Sequence, residues 1–198
     1  MNHKWLSTVL VMLALAVGPG QAEAGLIPVQ VSVTPESGMY RFTYAVTLPS
    51  DSVLRPGDYF TIYDFDGFVP GSAVANGSIY SGDWAFSSLN HGPTPAGVGP
   101  VDNPATANLT WTYNGPVINI NASVGLGNFW AVSQYPDSTE SAFTSSTGSS
   151  TGSTDSNLTT TDVPVPTAPP PAVPEPATLL LAGLGLPLAA LIRGRKNS

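Results

Sequence analysis

Apolar and polar residues alternate along much of the chain between Gly25 and Tyr135. Val29, Val31 and Val33 fall on one side of such an alternation, with Gln30, Ser32 and Thr34 on the other. Tyr40, Phe42, Tyr44, Val46 and Leu48 repeat it against Arg41, Thr43, Ala45 and Thr47. Successive side chains leave a strand on opposite faces, so period two in β-branched and aromatic residues predicts half-buried strands. Turn chemistry divides the runs at Pro35-Glu36-Ser37-Gly38, Pro49-Ser50-Asp51-Ser52 and Pro56-Gly57-Asp58. Tyr59 to Phe65 reads as a third strand, aromatic on both faces and therefore central or covered on both sides.

The pattern weakens afterwards. Ser78–Tyr80 and Trp84–Leu89 read as short strands, and Asn90 to Pro104 as a long Gly/Pro-rich surface loop. Leu109, Trp111 and Tyr113 alternate again, and Asn114-Gly115 carries the residues that a type I′ hairpin turn favours. A return strand would place Ile118, Ile120, Ala122 and Val124 on one face. Gly125-Leu126-Gly127-Asn128 would then turn the chain into a last strand, Phe129 to Tyr135. Seven or eight short strands with no helical window predict an all-β fold, a single antiparallel β-sandwich, with a small barrel as the alternative.

From Ser138 to Ala168 the alternation gives way to composition: 17 of 31 residues are Ser or Thr. Pro164, Pro166, Pro169, Pro170, Pro171, Pro174 and Pro176 crowd the end of this stretch and the residues after it. Such sequence carries few apolar side chains to offset ordering entropy, which predicts a disordered Ser/Thr- and Pro-rich linker over 138–172. Its hydroxyls could carry O-linked sugars. The Asn-x-Ser/Thr triplets at Asn76, Asn108, Asn121 and Asn157 read as chance.

The two ends read as addresses. Residues 1–24 have the parts of a signal peptide: Lys4, an apolar run from Trp5 to Val17, and the small-x-small pattern Ala22-Glu23-Ala24 that signal peptidase needs. Cleavage there would make Gly25 the first mature residue. At the other end, 177–192 is an uncharged, Leu-rich run read as a C-terminal hydrophobic, transmembrane helix. Arg193, Arg195 and Lys196 come directly after it and would stay cytoplasmic, because positive charge resists translocation. Val173, Pro174, Glu175 and Pro176 stand just before the run. Pro-Glu-Pro, an apolar helix and a terminal basic cluster, in that order, resemble the PEP-CTERM sorting signal of exosortase substrates in Gram-negative-type bacteria. The resemblance covers residues 173–198. It implies processing near Pro174-Glu175-Pro176 by an integral-membrane, transpeptidase-like enzyme with loss of the helix. It also implies transient residence in the inner membrane and export to the cell surface, often in bacteria that make exopolysaccharide.

Composition narrows the function classes. Lys+Arg 6 against Asp+Glu 13 gives a net charge of −7, which argues against coating a phosphate backbone. No cysteine is present, so disulfides, Cys-ligated metals and thiol catalysis drop out. If both ends are cut, Arg41 and Arg55 face twelve carboxylates with Glu175 kept, and 2 − 12 = −10; losing Glu175 gives −9.

Candidate chemistry is thin. His91 is the one histidine of the 25–198 stretch, and no Gly-x-Ser-x-Gly or His-Glu-x-x-His motif accompanies it. A hydrolase built on it is the weakest alternative. Asp58, Asp64 and Asp66 lie close together, with Asp64 and Asp66 expected on one strand face. They could hold calcium or act as a carboxylate pair, but Asp66-Gly67 is also an ordinary turn. Trp84, Trp111 and Trp130, with Tyr59, Tyr63, Tyr80 and Tyr113, could stack on sugar rings. Trp111 shares a face with Leu109 and Tyr113 and belongs in a core. The expectation is a non-enzymatic surface or extracellular-matrix protein with no metal and no cofactor. Its partners would be signal peptidase, an exosortase-like enzyme, the membrane during sorting and extracellular polysaccharide, with no nucleic acid. A carbohydrate-binding module is the alternative.

Overall fold

The computed structural model describes residues 25–76 and 81–167. Among the described residues there are ten strands and one short 3-10 turn, Ser81–Asp83. The strands are β1 (Ile27–Glu36), β2 (Met39–Leu48), β3 (Ser52–Val53), β4 (Tyr59–Phe65) and β5 (Val74–Asn76). They continue with β6 (Trp84–Leu89), β7 (Ala107–Tyr113), β8 (Val124–Ser133), β9 (Asp137–Ser149) and β10 (Thr154–Val165). One sheet runs β1-β2-β8-β5; the other runs β10-β9-β4-β7-β6, with β3 added against β9. All pairings are antiparallel. The predicted antiparallel sandwich is what forms.

The core follows from the alternation. β2 turns Phe42, Tyr44, Val46 and Leu48 inward, and all four are buried. β4 and β7 bring Phe60, Ile62, Leu109, Trp111 and Tyr113 to meet them. Phe60 is the hub: it stacks on Trp111 at 5.2 Å and Phe143 at 5.4 Å, and takes the edge of Phe129 at 4.8 Å. Offset and edge-on geometries suit the quadrupoles of the rings, adding about 0.5–1.5 kcal/mol per pair beyond area burial. β4 is paired on both sides, by β7 and β9, as its two-faced aromatic pattern predicts.

Four expectations are corrected. First, 138–165 is not a linker: it forms the β9–β10 hairpin, twelve residue pairs long, and β9 pairs with β4 as well. The sandwich therefore reaches Val165, not residue 137. Phe143 and Val163 anchor the hairpin in the core. Several of its buried polar groups find partners: Ser145 Oγ donates to Leu26 O at 3.2 Å and Asn157 Nδ2 to the same oxygen at 3.0 Å, whereas the Thr147 and Thr161 hydroxyls have none among the described residues. Thr144, Ser145 and Thr147 are buried at 0% exposure, as no solvated tether would be. Residues 168–172 lie outside the described residues, as does the Ser78–Tyr80 strand.

Second, Asn114-Gly115 makes no type I′ turn, and neither residue has positive φ. Gly115 is pressed against the Asp83 carboxylate and the Tyr113 hydroxyl, each 2.5 Å from where a Cβ would stand. Pro116, which has no N–H to give a ladder, takes the Tyr113 hydroxyl on its carbonyl at 2.7 Å. Ile118 meets Leu54 in a single bridge, and 119–123 are not a strand. Third, Gly125–Asn128 is not a turn but the first part of β8. A bulge opposite Val46 and Thr47, with Gly127 at φ +105°, lets both Leu126 and Phe129 reach the core. Fourth, the Val29/Val31/Val33 face is not evenly buried. β1 slips register between Pro28 and Gln30, leaving Val29 59% exposed while Val31 packs on the core.

Asn90 to Pro104 runs over the second sheet's outer face. Gly92 lies so close that a Cβ would come within 2.7 Å of Thr61 Cγ2. Tyr63 donates its hydroxyl to Pro93 O at 3.1 Å, and Thr61 and Thr110 share a hydrogen bond at 3.0 Å beneath. The loop thus covers polar side chains that the alternation of β4 and β7 would otherwise leave in water.

Candidate functional site

Where β4 leaves its ladder, Tyr63 and Asp64 together oppose the single residue Asn108. This bulge holds Asp64 at φ +58°, a left-handed conformation that Asp tolerates better than most residues. The Asp64 N–H donates to Asn108 Oδ1 at 2.9 Å. Its carboxylate accepts the Asn103 N–H at 2.8 Å and the Ser141 hydroxyl at 3.3 Å. Asn108, fully buried, donates Nδ2 to Asp102 Oδ1 at 2.9 Å and to Asn90 O at 3.3 Å. The buried amide ties together β4, β7 and both ends of the covering loop.

Beside this knot lies a groove of about 430 Å3, large enough for a small ligand. Asp64, Glu140, Ser141 and Thr160 give it polar groups; Val101 and Leu158 give it an aliphatic wall. Glu140, Ser141, Leu158 and Thr160 come from the hairpin that composition assigned to a linker, so the groove could not be read from the sequence. Asn108, Asp102, Ser141 and Glu140 were missed as well. The one signal for the first two is that Asn90-His91 and Asp102-Asn103 bracket the Gly/Pro-rich loop.

The predicted residues are dispersed. His91 is exposed, with Nδ1 3.6 Å from Asp102 Oδ2. Asp58 accepts the N–H groups of Arg55 at 2.7 Å and Gly148 at 3.2 Å, fastening the turn before β4 to the hairpin. Burial pushes its carboxyl above the usual value, outweighing those N–H donors and the Arg55 charge. Asp66 is raised by burial and then by the negative charge of Asp64. Asp64 and Asp66 do not share a strand face: the bulge breaks the alternation and β4 ends at Phe65. Among the described residues no group of three or more His, Asp or Glu side chains could hold a metal ion.

The aromatics divide in the same way. Trp111, Tyr63 and Tyr113 are buried, and Trp84 packs on Phe60, Tyr113 and Phe129. Tyr59 is half-buried, its hydroxyl raised by burial and by Tyr63. Tyr80 lies outside the described residues. Trp130 sits on the outer face of the first sheet opposite Thr43, with the Arg41 guanidinium 4.8 Å from its ring centroid. That guanidinium also pairs with Glu36 and holds its carboxyl below the usual range.

Ala22, Ala24, Val173, Pro174, Glu175, Pro176, the 177–192 run and Arg193, Arg195 and Lys196 lie outside the described residues. Among the described residues no helix is long and apolar enough to cross a membrane. No curated protein matches the chain. A family model does match its end: the chain carries a PEP-CTERM protein-sorting motif over residues 172–196.

Proposed function

We propose that the protein is an exported, non-enzymatic component of the cell surface or extracellular matrix, processed through its C-terminal signal. A PEP-CTERM motif implies processing by an exosortase and export through the membrane to the cell surface. The observation that carries the reading is the placement of that motif. The sandwich ends with β10 at Val165 and the matched segment begins at residue 172, so a folded β domain precedes a sorting tail closely. The non-enzymatic part draws support from the carboxylates. Asp58 and Asp64 are both engaged in backbone hydrogen bonds that hold turns and loops. Replacing Pro174, Glu175 and Pro176 with alanine tests the processing. The full-length chain should then stay with the membrane fraction at its unprocessed mass, whereas normal release would contradict the proposal.

A saccharide-binding role is the second reading. It is supported by Trp130 on an outward sheet face and by the hydroxyl- and carboxylate-lined groove at Asp64 and Glu140. Affinity electrophoresis through polysaccharide gels tests it. Retardation that Trp130→Ala or Glu140→Gln weakens supports the reading, and unretarded migration in every gel excludes it.

A further inference from the structure

Among the described residues the longest sheet edge is β10. It pairs with β9 alone over Thr154–Val165, without a bulge. The other edges are blunted: β1 has a register slip plus Pro28 and Pro35, β5 has three residues and β6 has six. Sheet edges are commonly guarded by lysine, proline, bulges or brevity. From Thr154 to Thr160 this edge has no such guard, its one charge being Asp155.

The hydrogen bonding fixes which backbone groups are free. Ser149 N–H donates to Ser153 O at 2.8 Å, so odd-numbered residues of the hairpin's second arm face β9. Even-numbered ones therefore face away, and the Asp162 carbonyl accordingly takes the Tyr44 hydroxyl at 2.9 Å. Pro164 has no N–H, so a ladder on this side stops before it. Thr154, Ser156, Leu158 and Thr160 remain, with outward N–H and C=O groups lacking hydrogen-bond partners among the described residues. Beside them a groove of about 230 Å3 runs between β10 and β1, lined by Val29, Val31, Thr160, Thr161 and Asp162. Thr161 is 6% exposed and its hydroxyl finds no partner among the described residues. Leu158, 43% exposed, stands on the outer face.

We propose that β10 is a self-association strand, pairing antiparallel with β10 of a second copy about a two-fold axis at Asn157. In this register Thr154 opposes Thr160 and Ser156 opposes Leu158, so every outward N–H and C=O of the four residues is paired. Parity together with the placement of the charges makes a second copy a fitting partner. Two-fold antiparallel pairing of even-numbered outward residues makes opposed residue numbers sum to an even value, here 314. Asp155 and Asp162 sum to 317, so they never oppose each other; Asp155 faces Thr159, and Asp162 lies past the end of the ladder. The edge is thus complementary to itself in hydrogen bonding and free of opposed like charges. Leu158, beside the axis, and Val29, which lines the groove with Thr160 toward the end of the ladder, also lose solvent exposure.

The chain has no cysteine, so an introduced thiol reports its own surroundings. Two differently tagged full-length copies, one Ser156→Cys and the other Leu158→Cys, are produced together and treated with a short bismaleimide. The expected product is a mixed dimer at twice the monomer mass, lost when Thr160→Pro is added to both copies. Thr160 has no N–H bond to β9, so that proline removes outward pairing and leaves the hairpin ladder intact. Light scattering on the otherwise unaltered chain covers the case of misfolded cysteine variants: it should give a dimer mass, halved by Thr160→Pro. The proposal is overturned by a monomer mass at all concentrations. It is equally overturned by crosslinking no stronger than that of Ala85→Cys on β6, or by adducts to other polypeptides in place of the dimer.

Discussion

β2 and β9 are both interior strands, each paired on two sides, and they are made from opposite chemistry. β2 buries Phe42, Tyr44, Val46 and Leu48 behind a polar outer face. β9 buries Thr144, Ser145, Thr147 and Ser149 around one large apolar side chain, Phe143. β2 is held by apolar area, at about 25 cal/mol per Å2 removed from water. β9 is held by its backbone ladders, by Phe143 and by the Thr144 and Ser145 hydroxyls, which meet Tyr63 and Leu26, while the Thr147 hydroxyl has no partner among the described residues. A hydroxyl can be buried at little cost when its hydrogen bonds are made, and costs about 1–3 kcal/mol when they are not. Composition alone does not separate a tether from a strand of the second kind.

The largest expected effect comes from removing the hairpin. A chain lacking 138–165 loses one of the two neighbours of β4 and part of the core, and should show no cooperative thermal transition by circular dichroism. A linker's removal would leave the transition in place. Next, Phe143→Ala should cost about 3–5 kcal/mol, the same range as Phe42→Ala, measured by urea denaturation. Equal losses from the Ser/Thr-rich strand and the apolar one would put both in a single core.

Asn108→Ala should cost about 1–3 kcal/mol by leaving the Asp64 N–H and Asp102 without their partner. Hydrogen exchange should then rise across 90–104 before it rises in β2. Ser145→Ala should cost less, about 0.5–1.5 kcal/mol, because Asn157 still serves the Leu26 carbonyl.

The smallest effect is in pH dependence. Asp58 is raised in the folded state, so its protonation favours folding: the contribution is complete below the ordinary carboxylate value and is lost as pH rises through the raised one. Asp58→Asn keeps an acceptor for Arg55 and Gly148 but cannot titrate. The stability difference between variant and parent should therefore change over that window and stay flat above it, as followed by denaturant midpoints.

Much of the first sheet and the centre of the second was legible because alternation reports burial on one face. That logic placed β2, β4, β6 and β7, and it put Trp111 inside. It failed where another constraint ruled. At Asn114-Gly115 the contact with Asp83 and the adjoining Pro116 overrode turn preference. At Gly125–Asn128 the glycine served a bulge inside a strand and not a turn. In 138–165 the partners of the buried hydroxyls, such as Leu26 and Tyr63, are more than eighty residues away in sequence. The groove at Asp64 was hidden for the same reason, since Glu140, Ser141 and Leu158 enter it only once the hairpin is in place. The sorting motif was legible because its parts are contiguous.

Hydrogen–deuterium exchange of the native chain, read peptide by peptide over 138–165, tests the contrast most directly. Amides of β9 from Phe143 to Ser149, where the strand is paired on both sides, should be protected to the same degree as those of β2 and β4, with the odd-numbered amides of β10 close behind. Exchange of 138–165 at the rate of an unstructured peptide, with β2 still protected, would contradict the account and return that segment to a tether.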